Sequence, residues 1–298
     1  MAIKLTFLGT SAQIPTAKRN HTAILLTYDK ENILIDCGEG TQRQFRKARL
    51  NPGKVTRILI THFHGDHVLG IPGVLQTLSL NEYNKTLYIY GPKGTKEFIK
   101  NLLKTFVFKL NYKIKIKEVS GKFFENNDFY LEAKPMTHGT PTNAYAFIKK
   151  GKIRIDKKKL KKSKLPSGPI LGKLKQGKDI VINKKKYLAK NLTFKENEKK
   201  VSFVLDTSLN NRIVLFVKDS DLLICESSFD SELGDKAKEH KHLTAKQASE
   251  IAKKSKSKKL LLTHVSQRYE KNLKKILNDA KKIFKNSHLV EDFDSFDI

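Results

Sequence analysis

The segment Thr61-His62-Phe63-His64-Gly65-Asp66-His67 places three imidazoles and a carboxylate in the six positions from 62 to 67. Just ahead lies Arg57-Ile58-Leu59-Ile60, an apolar, β-branched run that is too short for a helix and is read as a buried strand. Gly65 supplies the break that turns the chain. Side chains alternate across a strand, so His62 and His64 point the same way, with Asp66 and His67 just beyond on the loop. Zinc accepts imidazole nitrogen at about 2.0–2.1 Å and carboxylate oxygen at about 2.0–2.2 Å. A single histidine at a strand end is usually a packing or surface residue. Four ligand-type residues in six, behind a hydrophobic strand, point to a bound metal.

Other apolar runs also end in residues that can bind metal or move a proton: Asp36, His138, Asp206, Glu226 and His264. Taken alone, His138 could hydrogen-bond a carbonyl, Asp206 could cap a turn and His264 could pack at a strand end. Together, His138, Asp206 and His264 are the best further ligands. A carboxylate has two oxygens and can bridge cations about 3.5–4 Å apart, which imidazole cannot do. Asp206 is therefore the natural bridge between a first site (His62, His64, His138) and a second (Asp66, His67, His264). Two metals would lower the pKa of a shared water and neutralise charge developing around phosphorus. His21, His240 and His288 read as surface residues.

The His-x-His-x-Asp-His pattern resembles the signature of the metallo-β-lactamase superfamily. The resemblance implies an α/β fold, a four-layer αββα sandwich with a two-metal site along one edge. It implies hydrolysis by metal-activated water and leaves the substrate open.

The elements that must position these residues can be read from the patterning. Strands are expected over Ile3–Leu8, Thr22–Thr27, Asn32–Asp36, Leu87–Tyr90, Ile114–Val119 and Phe129–Ala133, and again before Asp206, Glu226 and His264. Helices are expected after Gly40, over Leu69–Leu80 and Gly94–Leu103, and from about Glu270 to Phe284. Thr244 with Gln247 three residues on forms a capping box, with Ala248, Ile251 and Ala252 as the buried stripe. This alternation suits two packed αβ layers with loops gathered at one edge. No apolar run approaches the roughly 18–20 residues of a membrane span, and the N-terminus lacks the apolar core of a signal peptide. Two cysteines, Cys37 and Cys225, imply no disulfide framework. A reducing, cytoplasmic setting is expected.

The net charge of +29 suits phosphate backbones or anionic surfaces. More than half of it is local. Residues 149–200 hold 20 lysines and arginines against 4 acids, a net +16 in a stretch punctuated by Pro166, Gly168, Pro169, Gly172 and Gly177. Read alone, this is an extended surface insertion or a disordered linker.

The motifs resemble, in order and over nearly the whole chain, those of the ribonuclease Z family. They are Asp36-Cys37-Gly38-Glu39-Gly40-Thr41-Gln42, the histidine motif, the His138 loop, Asp206-Thr207, Glu226, His242-Leu243-Thr244, and His264 to Tyr269. The resemblance implies a tRNA 3′-processing endoribonuclease with two zinc ions per subunit, commonly a homodimer, acting on precursor tRNA without a membrane. It implies that Asp66 is the proton acceptor and that His242 protonates the leaving oxygen, oriented by Glu226. Ser266, Arg268 and Tyr269 match a phosphate-binding element, and Arg19 and Asn20 match a substrate-positioning loop.

Residues Leu165 to Gly177 resemble the tip of that family's flexible tRNA-gripping arm, with Gly168, Pro169, Gly172, Lys173 and Lys175 as its contacts. The expected organisation is one domain over 1–298, with 149–200 the inserted, protruding arm. Two departures stand out. Lys18 is displaced by one place from the family's Pro-x-Lys-x-Arg-Asn, and His-Leu-Thr replaces the more usual His-Ser-Thr.

Overall fold

The computed structural model describes residues 2–298 except Lys164 and Ser167, so Ser167 of the arm-tip motif lies outside the described residues. Two seven-stranded sheets carry the architecture. The first runs in the order Ser295–Asp297, Lys4–Gly9, Ala23–Tyr28, Glu31–Ile35, Arg57–Leu59, Leu87–Gly91, Ile114–Glu118. Its N-terminal strands pair antiparallel, and the last four strands pair parallel. The second runs Ser287–Leu289, Leu260–Thr263, Leu222–Glu226, Lys199–Val204, Thr142–Lys149, Phe129–Met136, Gly121–Glu125.

The sheets pack face to face. Tyr28 meets Phe147 with ring centroids 5.5 Å apart, and the Tyr145 hydroxyl donates to the Ile60 carbonyl at 2.7 Å. Helices Thr41–Lys47 and Ile71–Leu80 bury Phe45, Ile71, Val74, Leu75 and Leu78 against the outer face of the first sheet. Helices Ala245–Lys254 and Leu273–Lys281 bury Ala248, Ile251, Ala252 and Ile276 against the second. This is the four-layer arrangement that two amphipathic αβ layers must adopt to hide their apolar faces.

The Ala245–Lys254 helix begins on the expected capping box. Thr244 Oγ1 accepts the Gln247 N–H at 3.1 Å, and Gln247 Oε1 accepts the Thr244 N–H at 2.9 Å. Replacing Thr244 with alanine removes one of these bonds and should cost about 1 kcal/mol of stability. A lowered midpoint in chemical denaturation, with unchanged slope, is the expected result.

Several elements depart from the expectations. Thr142–Lys149 is a strand buried along its whole length, so it shows no alternation to detect. Gly121–Glu125 and the short helix Asn211–Phe216 were also not anticipated. The helix expected over Leu69–Leu80 is preceded by a separate single turn, Gly65–Val68, and itself starts at Ile71.

Glu125–Tyr130 and Ile148–Lys199 form a second compact unit. Here the expectation of an extended or disordered segment gives way to a small core: Leu165, Leu174, Ile180, Ala189 and Leu192 are buried together. Two antiparallel strand pairs frame it, Ile153–Ile155 with Thr193–Lys195 and the hairpin Ile180–Ile182 with Lys185–Tyr187. Asn183 and Lys184, both at positive φ (47° and 62°), close the second as the tight turn a two-residue hairpin needs. The unit's lysine density thinned its apolar periodicity below what sequence patterning detects.

Candidate metal centre

The polar residues at the strand ends converge. His62, His64, His138 and Asp206 each bring a ligand atom within 4.8 Å of the others, and Asp66, His67 and His264 do the same. Asp206 joins the two groups. Its Oδ2 lies 3.5 Å from His62 Nε2 and 3.8 Å from His138 Nε2. Its Oδ1 lies 3.4 Å from His67 Nε2 and 3.2 Å from His264 Nε2. Asp66 Oδ2 is 3.4 Å from His67 Nε2 and 3.3 Å from His264 Nε2. Tetrahedral donors about 2.0–2.1 Å from one zinc sit about 3.3–3.4 Å from each other, so most of these separations suit such ions.

Four of the five candidate ligand rings are aimed by a hydrogen bond behind them. His67 Nδ1 donates to Asp36 Oδ2 at 2.6 Å, leaving the Nε2 lone pair for the centre. The Thr61 hydroxyl donates to the same Asp36 oxygen at 2.7 Å, so it must accept from His62 Nδ1, 3.0 Å away. His138 Nδ1 donates to the Lys241 carbonyl at 3.0 Å. Ser228 Oγ donates to Glu226 Oε2 at 2.7 Å and accepts from His264 Nδ1 at 3.0 Å. Such outer partners set the tautomer and orientation of ligating imidazoles. Asp36 is marked in the sequence as a strand-end acid and as the first residue of a family motif, with no sign of its bond to His67. Thr61, Ser228 and the Lys241 carbonyl carried no local signal.

The donor set fits divalent cations. His62 Nε2, in the first group, and Asp206 Oδ1, which faces the second, are buried and make no hydrogen bond, an arrangement that is costly unless a positive ion sits beside each. Burial would raise the carboxylate pKa of Asp206, but His264 and His67 outweigh it and hold the group well below the usual range. Asp66 behaves likewise, with His264 and His67 overcoming its burial. Burial, joined by the neighbouring His67, outweighs Asp206 and lowers His62 far below an ordinary imidazole, keeping its lone pair available. Nitrogen and oxygen donors without thiolate suit zinc, and also manganese or iron.

Beside the second group lies Glu226, fully buried at the end of its strand. Its Oε1 accepts the Thr207 N–H at 2.8 Å, and its Oε2 accepts from Ser228 and, at 3.0 Å, from His242 Nδ1. Glu226 therefore holds the Asp206 loop, His242 and, through Ser228, His264. Burial opposes charge on His242, but Glu226 and Asp206 prevail and push its pKa up to about 9. His242 lines a cavity of about 150 Å³ with Gln13, Phe229, Ser266 and Arg268. The exposed Arg268 Nε donates to Ser266 Oγ at 3.0 Å, and its guanidinium lies over the Phe229 ring at 4.9 Å.

Several expected contacts are placed otherwise. Arg19 is only 5% exposed, and its Nη1 donates to Thr10 Oγ1 and the Val290 carbonyl, both at 2.8 Å, so it ties two loops together. The Asn20 amide donates to the Glu39 carbonyl at 2.7 Å and braces that turn. Tyr269 is buried, its hydroxyl accepting the Asp230 N–H at 2.9 Å. Each of the three thus carries a bond inside the fold, while the buried Arg19 Nη2 makes no hydrogen bond. His21, expected on the surface, is also buried, with Nε2 2.9 Å from the Gln13 carbonyl. His240 and His288 are exposed. In the second unit Gly168, Pro169, Gly172, Lys173 and Lys175 are exposed, the two lysines flanking the buried Leu174.

The fold and the gathered ligands define a metallo-β-lactamase-type hydrolase. A metallo-β-lactamase fold protein, YhfI of Bacillus subtilis, matches with TM-score 0.72 at 17% identity, covering 100% of this chain and 99% of its own. The human tRNase Z short form matches with TM-score 0.71 at 28% identity over 98% of both chains. A family profile described as "Anti-Pycsar protein Apyc1" matches residues 3–149. Ribonuclease Z of Nanoarchaeum equitans is 40% identical over 89% of this chain and 84% of its own length. That of Archaeoglobus fulgidus is 37% identical over 100% and 98%. The chain belongs to the ribonuclease Z family. Among the described residues, no helix is long and apolar enough to cross a membrane.

Proposed function

We propose that this protein is a zinc-dependent endoribonuclease that removes the 3′ trailer from precursor tRNA and leaves a 3′-hydroxyl on the tRNA. The observation that carries the reading is Asp206, which turns one oxygen to each of two imidazole groups. His62, His64, His138 and Asp206 would hold one zinc; Asp66, His67, His264 and Asp206 would hold the other. When bound, two zinc ions supply an activated water and neutralise charge on the phosphoryl oxygens. Asp66 takes the proton of the attacking water. His242, anchored by Nδ1 to Glu226, gives a proton from Nε2 to the departing 3′-oxygen as the phosphorus–oxygen bond breaks. Ser266 and Arg268, on the rim of the cavity beside His242, suit a phosphate.

The exposed lysines of the second unit, Lys173 and Lys175 among them, neutralise phosphates of the tRNA body without reading bases. The working form is a homodimer in the cytoplasm, a reducing setting that suits the buried thiols of Cys37 and Cys225. One assay tests the whole reading. The parent should cut a precursor tRNA after the discriminator nucleotide, and a chelator should stop it. Replacing residues 157–191 by Asn-Gly should weaken precursor binding by at least about tenfold and spare hydrolysis of a small phosphodiester. Products ending in a 3′-phosphate, or equal loss of both activities, would reject it.

A further inference from the structure

Gln13 lies in the loop between Lys4–Gly9 and Ala23–Tyr28, a place the chemistry described so far does not use. Its φ is 49°, in the left-handed region that residues other than glycine seldom adopt. Two other non-glycine residues of the metal centre share this conformation: Asp36 and His264, both at φ 55°. Asp36 holds His67, and His264 is itself a candidate ligand. Strain of this kind persists only where the surroundings over-determine it.

At Gln13 the surroundings are specific. Its backbone N–H donates to Asp66 Oδ2 at 2.9 Å, the same oxygen that faces His67 and His264. Its carbonyl lies 2.9 Å from His21 Nε2, which must therefore carry the proton. The turn is closed by Ser11 Oγ donating to the Ile14 carbonyl at 2.7 Å. On one side Ser11–Ala12 pairs with Val265–Ser266, directly after His264. On the other, His21 packs so tightly on Gly38 that a Cβ there would fall 2.5 Å from the His21 Cβ and 2.3 Å from the Asp66 carbonyl oxygen. A left-handed residue at position 13 is what turns its N–H toward Asp66 while its carbonyl faces His21.

We infer that Gln13 is a positioning residue: its backbone N–H, braced by the buried His21, fixes the Asp66 carboxylate and so sets the affinity of the second metal position. The side chain is not what matters for this role. The inference rests on the two-metal reading above, and a zinc titration separates the two. Metal-free protein is titrated against a chromophoric chelator, with the fold followed by circular dichroism.

The parent should bind two ions per chain; fewer than two would sink the two-metal reading itself. Gln13→Pro removes the N–H and forbids the positive φ, and should weaken the second ion by about 10- to 100-fold, leaving the first unchanged. Gln13→Gly keeps the N–H in its preferred conformation and should bind both ions as the parent does. His21→Leu loosens the brace without touching a ligand and should also weaken the second ion. His21→Gln, whose amide can donate to the same carbonyl, should restore it. Parental affinity for both ions in Gln13→Pro and His21→Leu would overturn the inference. So would equal weakening in His21→Leu and His21→Gln, because the donor would then be irrelevant.

Discussion

Replacing Asp206 with alanine should reduce precursor cleavage by at least about 10⁴-fold, the scale seen when one member of a concerted catalytic set is removed. The bound metal should fall from two ions per chain to at most one. The reason is the division of its oxygens: Oδ1 faces His67 and His264, Oδ2 faces His62 and His138, and no neighbouring carboxylate can serve both. Asp206→Asn sharpens the test. An amide keeps one carbonyl oxygen for one site and presents a non-ligating NH₂ to the other, so this variant should retain one ion at near-parental affinity and lose the second. Asp66→Ala, in contrast, removes a donor from the second group alone. If Asp206→Asn still bound two ions with parental affinities, the carboxylate would not be a bridge, and the shared-water chemistry built on it would fail.

The ligands were legible because donors cluster locally: four candidates in six residues after a strand leave little room for another explanation. Asp206 and His264 were legible more weakly, as polar residues ending apolar runs. The supports were not. Ser228 meets His264 across 36 positions, and the Lys241 carbonyl meets His138 across 103, separations at which no local pattern survives. Arg19 is a different case. An arginine in a loop beside a predicted active site suits a phosphate, and nothing nearby in sequence announces that Thr10 and the Val290 carbonyl will both take its Nη1. The same holds for His21, whose burial depends on Gly38 and on the Gln13 turn. The second unit's core escaped notice because its buried residues, such as Leu174, stand singly between exposed lysines.

The structure makes Glu226 a hub, and its isosteric variant should show two separable defects. Both carboxylate oxygens act only as acceptors, from Thr207 N–H, Ser228 Oγ–H and His242 Nδ1–H. Glu226→Gln puts an NH₂ at one end. Whichever way the amide is turned, a donor then meets a donor in a fully buried place, at a cost of about 1–3 kcal/mol. The second defect is in pH dependence. The donor form of His242 is its charged ring, so a rate that needs it falls as pH rises through its pKa. Burial opposes that charge, and Glu226 is the larger of the two carboxylates that overcome it and bring the group up to about 9. Without the negative charge the pKa drops, so the basic limb of kcat/KM should move to lower pH by roughly one unit or more. Cations at the metal positions depress the ring in parent and variant alike, so the displacement between the two profiles is the quantity to read. A uniform loss of rate with the basic limb in place would mean that Glu226 serves only to hold the loop of Asp206, and that His242 is not the proton donor.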